Sequence, residues 1–296
     1  MGRPSLTMPS YGLIEAGGTK FVLGIANEDR IITASHRIAT TTPEETIGAS
    51  IDWFRSQNVE MSAIGIGSFG PLQLDKSASD WGHVTRTPKP HWSNTDLVGP
   101  FQRAFGCPVA IETDVNAAAL AEAQWGAGIG HKSLLYLTIG TGIGGGFVSN
   151  GHLLHGLSHP EMGHIRMPRH PDDLDFRGSC PFHGDCLEGL ASGPAIIARW
   201  GQSLSELGPD HPGIGIIAWY LAQAMVTFQA VMEPERIVLG GGVTGTPGLL
   251  DQVRKIASDA AANYFAGKAE DVICAPGLGD KSGLLGALAV ALSSTS

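Results

Sequence analysis

Four side chains, His164, Cys180, His183 and Cys186, offer two imidazoles and two thiols, and the last three stand at intervals of three residues in Cys180-Pro-Phe-His-Gly-Asp-Cys186. Two nitrogens and two sulfurs match the number and softness of ligands that zinc prefers. Four protein ligands leave no open position, so the spacing predicts a structural site. His159 and His170 are near enough in sequence to replace His164 as the fourth ligand. The competing reading, a reactive or disulfide-prone cysteine pair beside a surface histidine, fits poorly with the length of the surrounding segment. Residues 152–193 are rich in His, Pro, Asp and Cys, carry little periodicity, and are too long to stand in a compact domain without something to hold them. The other two cysteines, Cys107 and Cys274, fall in strand-like segments and read as core filler.

Phosphate chemistry is the second candidate. Gly17-Gly18-Thr19-Lys20 places backbone N–H groups, a hydroxyl and an ammonium at a bend between two strands, where an anion meets no side-chain obstruction. Taken alone, a plain hairpin explains that turn better. Thr138-Ile139-Gly140-Thr141-Gly142, continued by Ile143 and Gly144-Gly145-Gly146, carries more glycine than a hairpin requires. Each such glycine costs about 0.5–1 kcal/mol relative to alanine, and close approach of a phosphate is the compensation. A third run, Gly240-Gly241-Gly242, follows a buried strand and precedes a helix, where a nucleotide packs against bare backbone. The G-x-G-x-x-G spacing is absent after the first strand, and no G-x-x-x-x-G-K-[ST] loop occurs.

Asp114 stands where a strand over 108–112 gives way to an alanine-rich helix over 115–125. Ordinary N-capping accounts for an aspartate there. A carboxylate so placed also suits a general base that accepts the proton of a hydroxyl attacking phosphorus.

The elements that must position these groups alternate. Strands are expected over 11–16, 21–27 and 30–38, a helix over 42–57, a strand over 62–67 and a helix over 94–105. A second cycle follows: strands over 133–139 and 146–150, a helix over 214–232, a strand over 236–239, a helix over 249–265, a strand over 271–275 and a last helix over 282–292. Strand, glycine turn and strand thus recur in both halves. With 296 residues, 43% apolar and 16% charged, the chain is globular and long enough for two lobes. A net charge of −9 argues against general nucleic-acid binding. The first ten residues contain no apolar run of signal-peptide length and nothing reads as a membrane span, which gives a cytoplasmic expectation with reduced thiols.

Taken in order, Glu15-Ala-Gly-Gly-Thr-Lys-Phe21, Gly65-Ile-Gly-Ser-Phe-Gly-Pro71, Thr113-Asp-Val-Asn116, the run over 137–146, Pro160-Glu-Met-Gly-His164, the Cys180 to Cys186 loop with Glu188, and the run over 239–244 resemble the ROK family of sugar kinases, in its fructokinase branch. The resemblance covers most of the chain. It implies an α/β fold of two ribonuclease-H-like lobes, actin-like in plan, with a cleft between them. The expected division is a small sugar-side lobe over 1–117 containing Asp114, a large nucleotide-side lobe over 118–281 containing the zinc loop 159–188, and a C-terminal helix over 282–296 returning to the small lobe.

Asp114 would be the base. Gly17, Gly18, Thr19 and Lys20 would flank the phosphates of ATP together with Thr138, Gly140, Thr141 and Gly142. Gly240, Gly241 and Gly242 would lie near the nucleoside, with Pro194 lining its pocket. Glu161, His164 and Glu188 would contact sugar hydroxyls, with Ser68, Phe69, Gly70 and Thr113 on the sugar's other side. The implied activity is Mg2+-dependent transfer from ATP to a hexose, fructose first and mannose, glucose or N-acetylmannosamine as alternatives, by a homodimer with structural zinc. Three departures from the wider family point to the fructokinase branch or mark this loop: Glu15 for Asp, Thr113 for Asn, and His183 for the middle one of three cysteines. The family also includes sugar-responsive regulators. The roughly ten residues before Tyr11 are too few for the two helices of a helix-turn-helix.

Overall fold

The computed structural model describes residues 9–294. The chain divides into two units. One runs through Ala121 and takes in His155–His159 and the segment from Asp280; the other comprises Glu122–Leu154 and Pro160–Gly279.

The first unit is built on a five-stranded sheet of order β3-β2-β1-β4-β7. Its strands are β1 (Ser10–Ala16), β2 (Lys20–Asn27), β3 (Ile32–Ala39), β4 (Ala63–Ser68) and β7 (Val109–Thr113). β1, β2 and β3 form an antiparallel meander, and β4 and β7 add to β1 in parallel. Helix α1 (Pro43–Ser56) starts where Thr42 accepts from the Glu45 N–H with Pro43 in the first turn, the sequence signature of a helix start. A two-stranded ribbon, β5 (His83–Val84) with β6 (Thr95–Asp96), precedes α2 (Gly99–Phe105). The helix expected over 94–105 therefore begins later than its apolar pattern suggests. Thr95 and Asp96 pair with Val84 and His83 as one strand of the ribbon, and the Asp96 carboxylate accepts the Gly99 N–H at 2.7 Å.

The second unit repeats the topology as β10-β9-β8-β11-β12. The antiparallel trio is β8 (Ser133–Ile139), β9 (Ile143–Ser149) and β10 (His152–Leu153), with β11 (Arg236–Gly240) and β12 (Ile273–Cys274) in parallel. Its helices are α4 (Leu187–Ala191), α5 (Gly193–Trp200), α6 (Pro212–Met232), α7 (Leu249–Ala261) and α8 (Ala269–Val272). The strand expected over 271–275 is half helix, because the Val272 N–H closes a helical turn onto the Lys268 carbonyl and only Ile273 and Cys274 pair with β11. By length and composition α6 could cross a membrane, but it carries Tyr220, Leu221 and Phe228 into the second unit's core.

Two helices relate to the division of the chain. α3 (Asp114–Trp125) is continuous across it. Ala117 lies against Gly67 of β4 and Gly286 of α9 (Ser282–Ser293), whereas Glu122, fully buried, accepts the N–H groups of Ala127, Gly277 and Leu278. That places the division at Ala121, beyond the expected residue 117. α9 packs on β1 and β4 of the first unit.

The aperiodic segment is held from a side that the sequence does not announce. Asp173 and Arg199 form an ion pair at 2.9 Å with side chains only 4% and 7% exposed, the Tyr220 hydroxyl donates to the second Asp173 oxygen at 2.8 Å, and the Arg199 guanidinium lies 4.0 Å over the Phe176 ring. Removing one partner of a buried pair leaves an uncompensated charge, so Asp173→Ala is expected to lower stability by about 3–5 kcal/mol in denaturant unfolding. The neighbouring surface change Asp175→Ala should stay within about 0.5 kcal/mol.

Candidate active site

Each unit gathers its expected site residues at one end of its sheet. In the first, the register pairs Ala16 with Ser68 and Ser68 with Thr113, so the three parallel strands finish level. The groups just beyond those ends are the Gly17 to Lys20 turn after β1, Phe69 and Gly70 after β4, and Asp114 after β7. Ligands of open α/β sheets bind at the carboxyl ends of strands. The Phe69 N–H donates to the Ala16 carbonyl at 2.8 Å, tying the second of these connections to the first, and Gly18, Thr19 and Lys20 are exposed.

The capping of α3 is shared. The Thr113 hydroxyl accepts the Asn116 N–H at 3.2 Å, the ordinary cap geometry, while Asp114 Oδ1 accepts the Val115 N–H at 2.9 Å from a half-buried position. Thr113 and Ser68 are themselves buried, and the Ser68 hydroxyl donates to the Phe69 carbonyl. Glu15, at the end of β1, is pushed above the usual carboxylate range by burial, with Lys20 and then Arg37 opposing the shift.

In the second unit the glycine turn between β8 and β9 is the meeting point. Its Gly140 carbonyl accepts the Gly193 N–H at 2.8 Å, which brings the start of α5 and Pro194 beside it. The Ile139 carbonyl accepts the Val243 N–H at 3.0 Å, which brings in the third glycine run. Gly241 sits at φ +94°, and a Cβ there would stand 2.4 Å from the Ile139 oxygen, so only glycine fits. On the remaining side, Glu188 Oε2 accepts the Ile143 N–H at 2.9 Å, and a Cβ on Gly142 would come within 2.8 Å of it. Thr138, Gly140, Thr141, Gly142, Pro194 and the run from Gly240 are thus assembled around one bend.

His164, Cys180, His183 and Cys186 bring their donor atoms within 4.8 Å of one another. The sulfur–nitrogen separations are 3.5 Å for Cys186 to His164, 3.7 Å for Cys180 to His164 and 3.9 Å for Cys180 to His183. Metal–ligand bonds of zinc length at tetrahedral angles require an S–N edge of roughly 3.6 Å, so the donors fit a zinc ion better than a set of hydrogen bonds. The alternative ligands are occupied elsewhere: His159 Nε2 accepts the Leu72 N–H, and His170 Nδ1 accepts the Asp172 N–H. Burial, with Cys180 and Glu188 adding, pushes the Cys186 thiol up to about 11, which a bound cation would reverse. The other face of His164 looks at Glu161, with Nε2 4.0 Å from its carboxylate. The Glu161 pKa is raised, chiefly by partial burial, with His164 lowering it and Glu188 raising it.

Sequence reasoning missed Glu122, the Asp173–Arg199 pair and Glu112, each of which has a partner far away in the chain. It had one local signal for Glu112, an acid directly before Thr113-Asp114.

Two sheets of one topology, each with a glycine turn after its first strand, define a duplicated α/β protein of the ribonuclease-H-like class. The ROK family model matches residues 11–294, and the chain belongs to the ROK family. It is 52% identical over 290 residues to a fructokinase of Zymomonas mobilis, covering 96% of each chain. Among solved structures it is similar to a ROK hexokinase of Thermus thermophilus (TM-score 0.78, 27% identity, 97% of this chain and 99% of that one). It is also similar to a ROK glucokinase of Streptomyces griseus in complex with glucose and AMPPNP (TM-score 0.76, 26% identity, 96% and 99%).

Proposed function

We propose that the protein is a cytoplasmic kinase that transfers the γ-phosphoryl group of ATP to D-fructose, forming fructose 6-phosphate, with Asp114 as general base. The observation that supports the reading is the level finish of β1, β4 and β7, whose carboxyl ends lead into the Gly17 to Lys20 turn, into Phe69 and Gly70, and into Asp114 at one end of one sheet. The similarity to the Zymomonas mobilis fructokinase supports fructose as the acceptor.

Phosphoryl transfer passes through a loose transition state with little covalent work for the protein, so positioning and charge neutralisation do most of it. Asp114 accepts the proton of the attacking hydroxyl. Backbone N–H groups of the two glycine turns, with Lys20, hold phosphate oxygens, and the run from Gly240 and Pro194 accommodates the nucleoside. Mg2+ bound to ATP would supply charge neutralisation to the phosphates as they enter the site. Glu161 and His164 take sugar hydroxyls; Glu188 steadies the second turn through Ile143 and adds negative charge near Glu161. Ser68 and Thr113 back the sugar from buried positions. The His164, Cys180, His183 and Cys186 cluster holds zinc in a structural role, fixing the loop from which Glu161 and Glu188 project.

The test is a coupled assay with MgATP and fructose, mannose, glucose and N-acetylmannosamine. Fructose is expected to give the highest kcat/KM, by at least about tenfold, because one misplaced hydroxyl leaves buried polar groups unpaired. Turnover fastest with another sugar moves the substrate assignment, and turnover with none removes the kinase reading.

A further inference from the structure

We propose that Glu112 and His155 are positioning residues of this phosphoryl transfer, a clasp that fixes the Thr113-Asp114 turn and the sugar-side strap to each other. The proposal rests on the kinase reading above and adds two residues to it.

The strap is an excursion of the chain. Residues through Leu154 belong to the second unit, His155–His159 belong to the first, and Pro160 returns to the second, running on in sequence to Glu161 and His164. Two histidines hold the strap to the first unit. His155 Nε2 lies 2.8 Å from Glu112 Oε1, and His159 Nε2 accepts the Leu72 N–H at 3.3 Å, next to Gly70.

The other oxygen of Glu112 works on the helix start. Oε2 accepts the Asn116 side-chain amide at 2.9 Å and the Thr113 N–H at 3.3 Å. One carboxylate therefore joins the strap to residues on both sides of Asp114. Capping does not require this, since the Thr113 hydroxyl already serves the helix. Nor is the arrangement the cheapest available. With its amide turned to Glu112, Asn116 leaves its Oδ1 buried without a hydrogen-bond partner, a cost that native structures keep where position matters. The Glu112 carboxylate holds the His155 pKa above its ordinary value through their hydrogen bond, against partial burial.

Misplacing a reacting group by about 1 Å costs on the order of 10²-fold in rate. His155→Leu is expected to lower kcat for fructose by roughly 10- to 100-fold while KM for MgATP stays within about twofold. His155→Gln, whose amide can still donate to Glu112, should recover most of the loss. Glu112→Gln combined with His155→Leu should be no slower than His155→Leu alone, as expected of two groups acting through one contact. His152→Ala, an exposed histidine on β10, is the control and should keep parental kcat. A parent chain that phosphorylates no sugar overturns the kinase reading and this one with it. An active parent whose His155→Leu variant keeps its kcat overturns this one alone, as does a loss that His155→Gln fails to restore.

Discussion

Asp114→Asn is expected to lower kcat with fructose by about 10²- to 10⁴-fold, the range that a positioned general base contributes. The choice of asparagine isolates the chemistry. Its Oδ1 still accepts the Val115 N–H that Asp114 holds at 2.9 Å, and the cap of α3 rests on the Thr113 hydroxyl, so the helix start keeps its geometry. What disappears is the negative charge and the capacity to take a proton. On the proposed reading Asp114 meets the acceptor hydroxyl rather than the nucleotide, so the Kd for MgATP, read by calorimetry, should change by less than about threefold while turnover collapses. Melting temperature should follow the parent's. Turnover within threefold of the parent would take Asp114 out of the role of base and leave it as the helix-start residue that its position alone explains.

What the sequence could and could not disclose follows from the range of the interactions involved. The glycine runs over 140–146 and 240–242 were legible as positions where so much glycine is unfavourable without a reason, although the close packing found there, of Gly241 against the Ile139 oxygen and of Gly142 against Glu188, joins residues distant in the chain. The doubled topology was legible because strand, turn and strand recur with the same spacing. The cluster of donors was legible in Cys180, His183 and Cys186, which repeat within one short loop, whereas His164 as the fourth, rather than His159 or His170, is fixed by where each ring ends up. The starts of α2 and β12 were not legible. A two-residue strand at Thr95 and Asp96 and a single helical turn at Ala269–Val272 override apolar patterns that read equally well as longer elements. Least visible were contacts between distant residues: Asp173 with Arg199, Glu188 with Ile143, Glu112 with His155. An isolated acid on a strand or loop has the same appearance whether its partner is water or an arginine, so only the folded chain distinguishes them.

Removing the metal should have the largest effect on stability. Purified protein is expected to contain one zinc per chain by elemental analysis, and a strong chelator or Cys186→Ser should lower the melting temperature by about 10 °C. The estimate follows from two magnitudes. The free energy of binding a structural metal is folding free energy, of which a loss of several kcal/mol is a conservative share, and a chain of this size shifts by roughly 2–4 °C per kcal/mol. The loss should reach the substrate as well, since His164 faces Glu161 across 4.0 Å and Cys186 stands directly at the start of α4, whose Glu188 holds the Ile143 N–H of the second glycine turn. A chelated sample that survives assay temperature should therefore show a raised KM for fructose. Asp173→Ala provides the contrast, because it weakens the same segment through the Arg199 and Tyr220 contacts and leaves all four converging donors in place. It should melt early with its zinc retained. Metal-free protein that melts with the parent would show that the segment over 152–193 is carried by the Asp173–Arg199 side alone, and the four converging donors would then have no structural task.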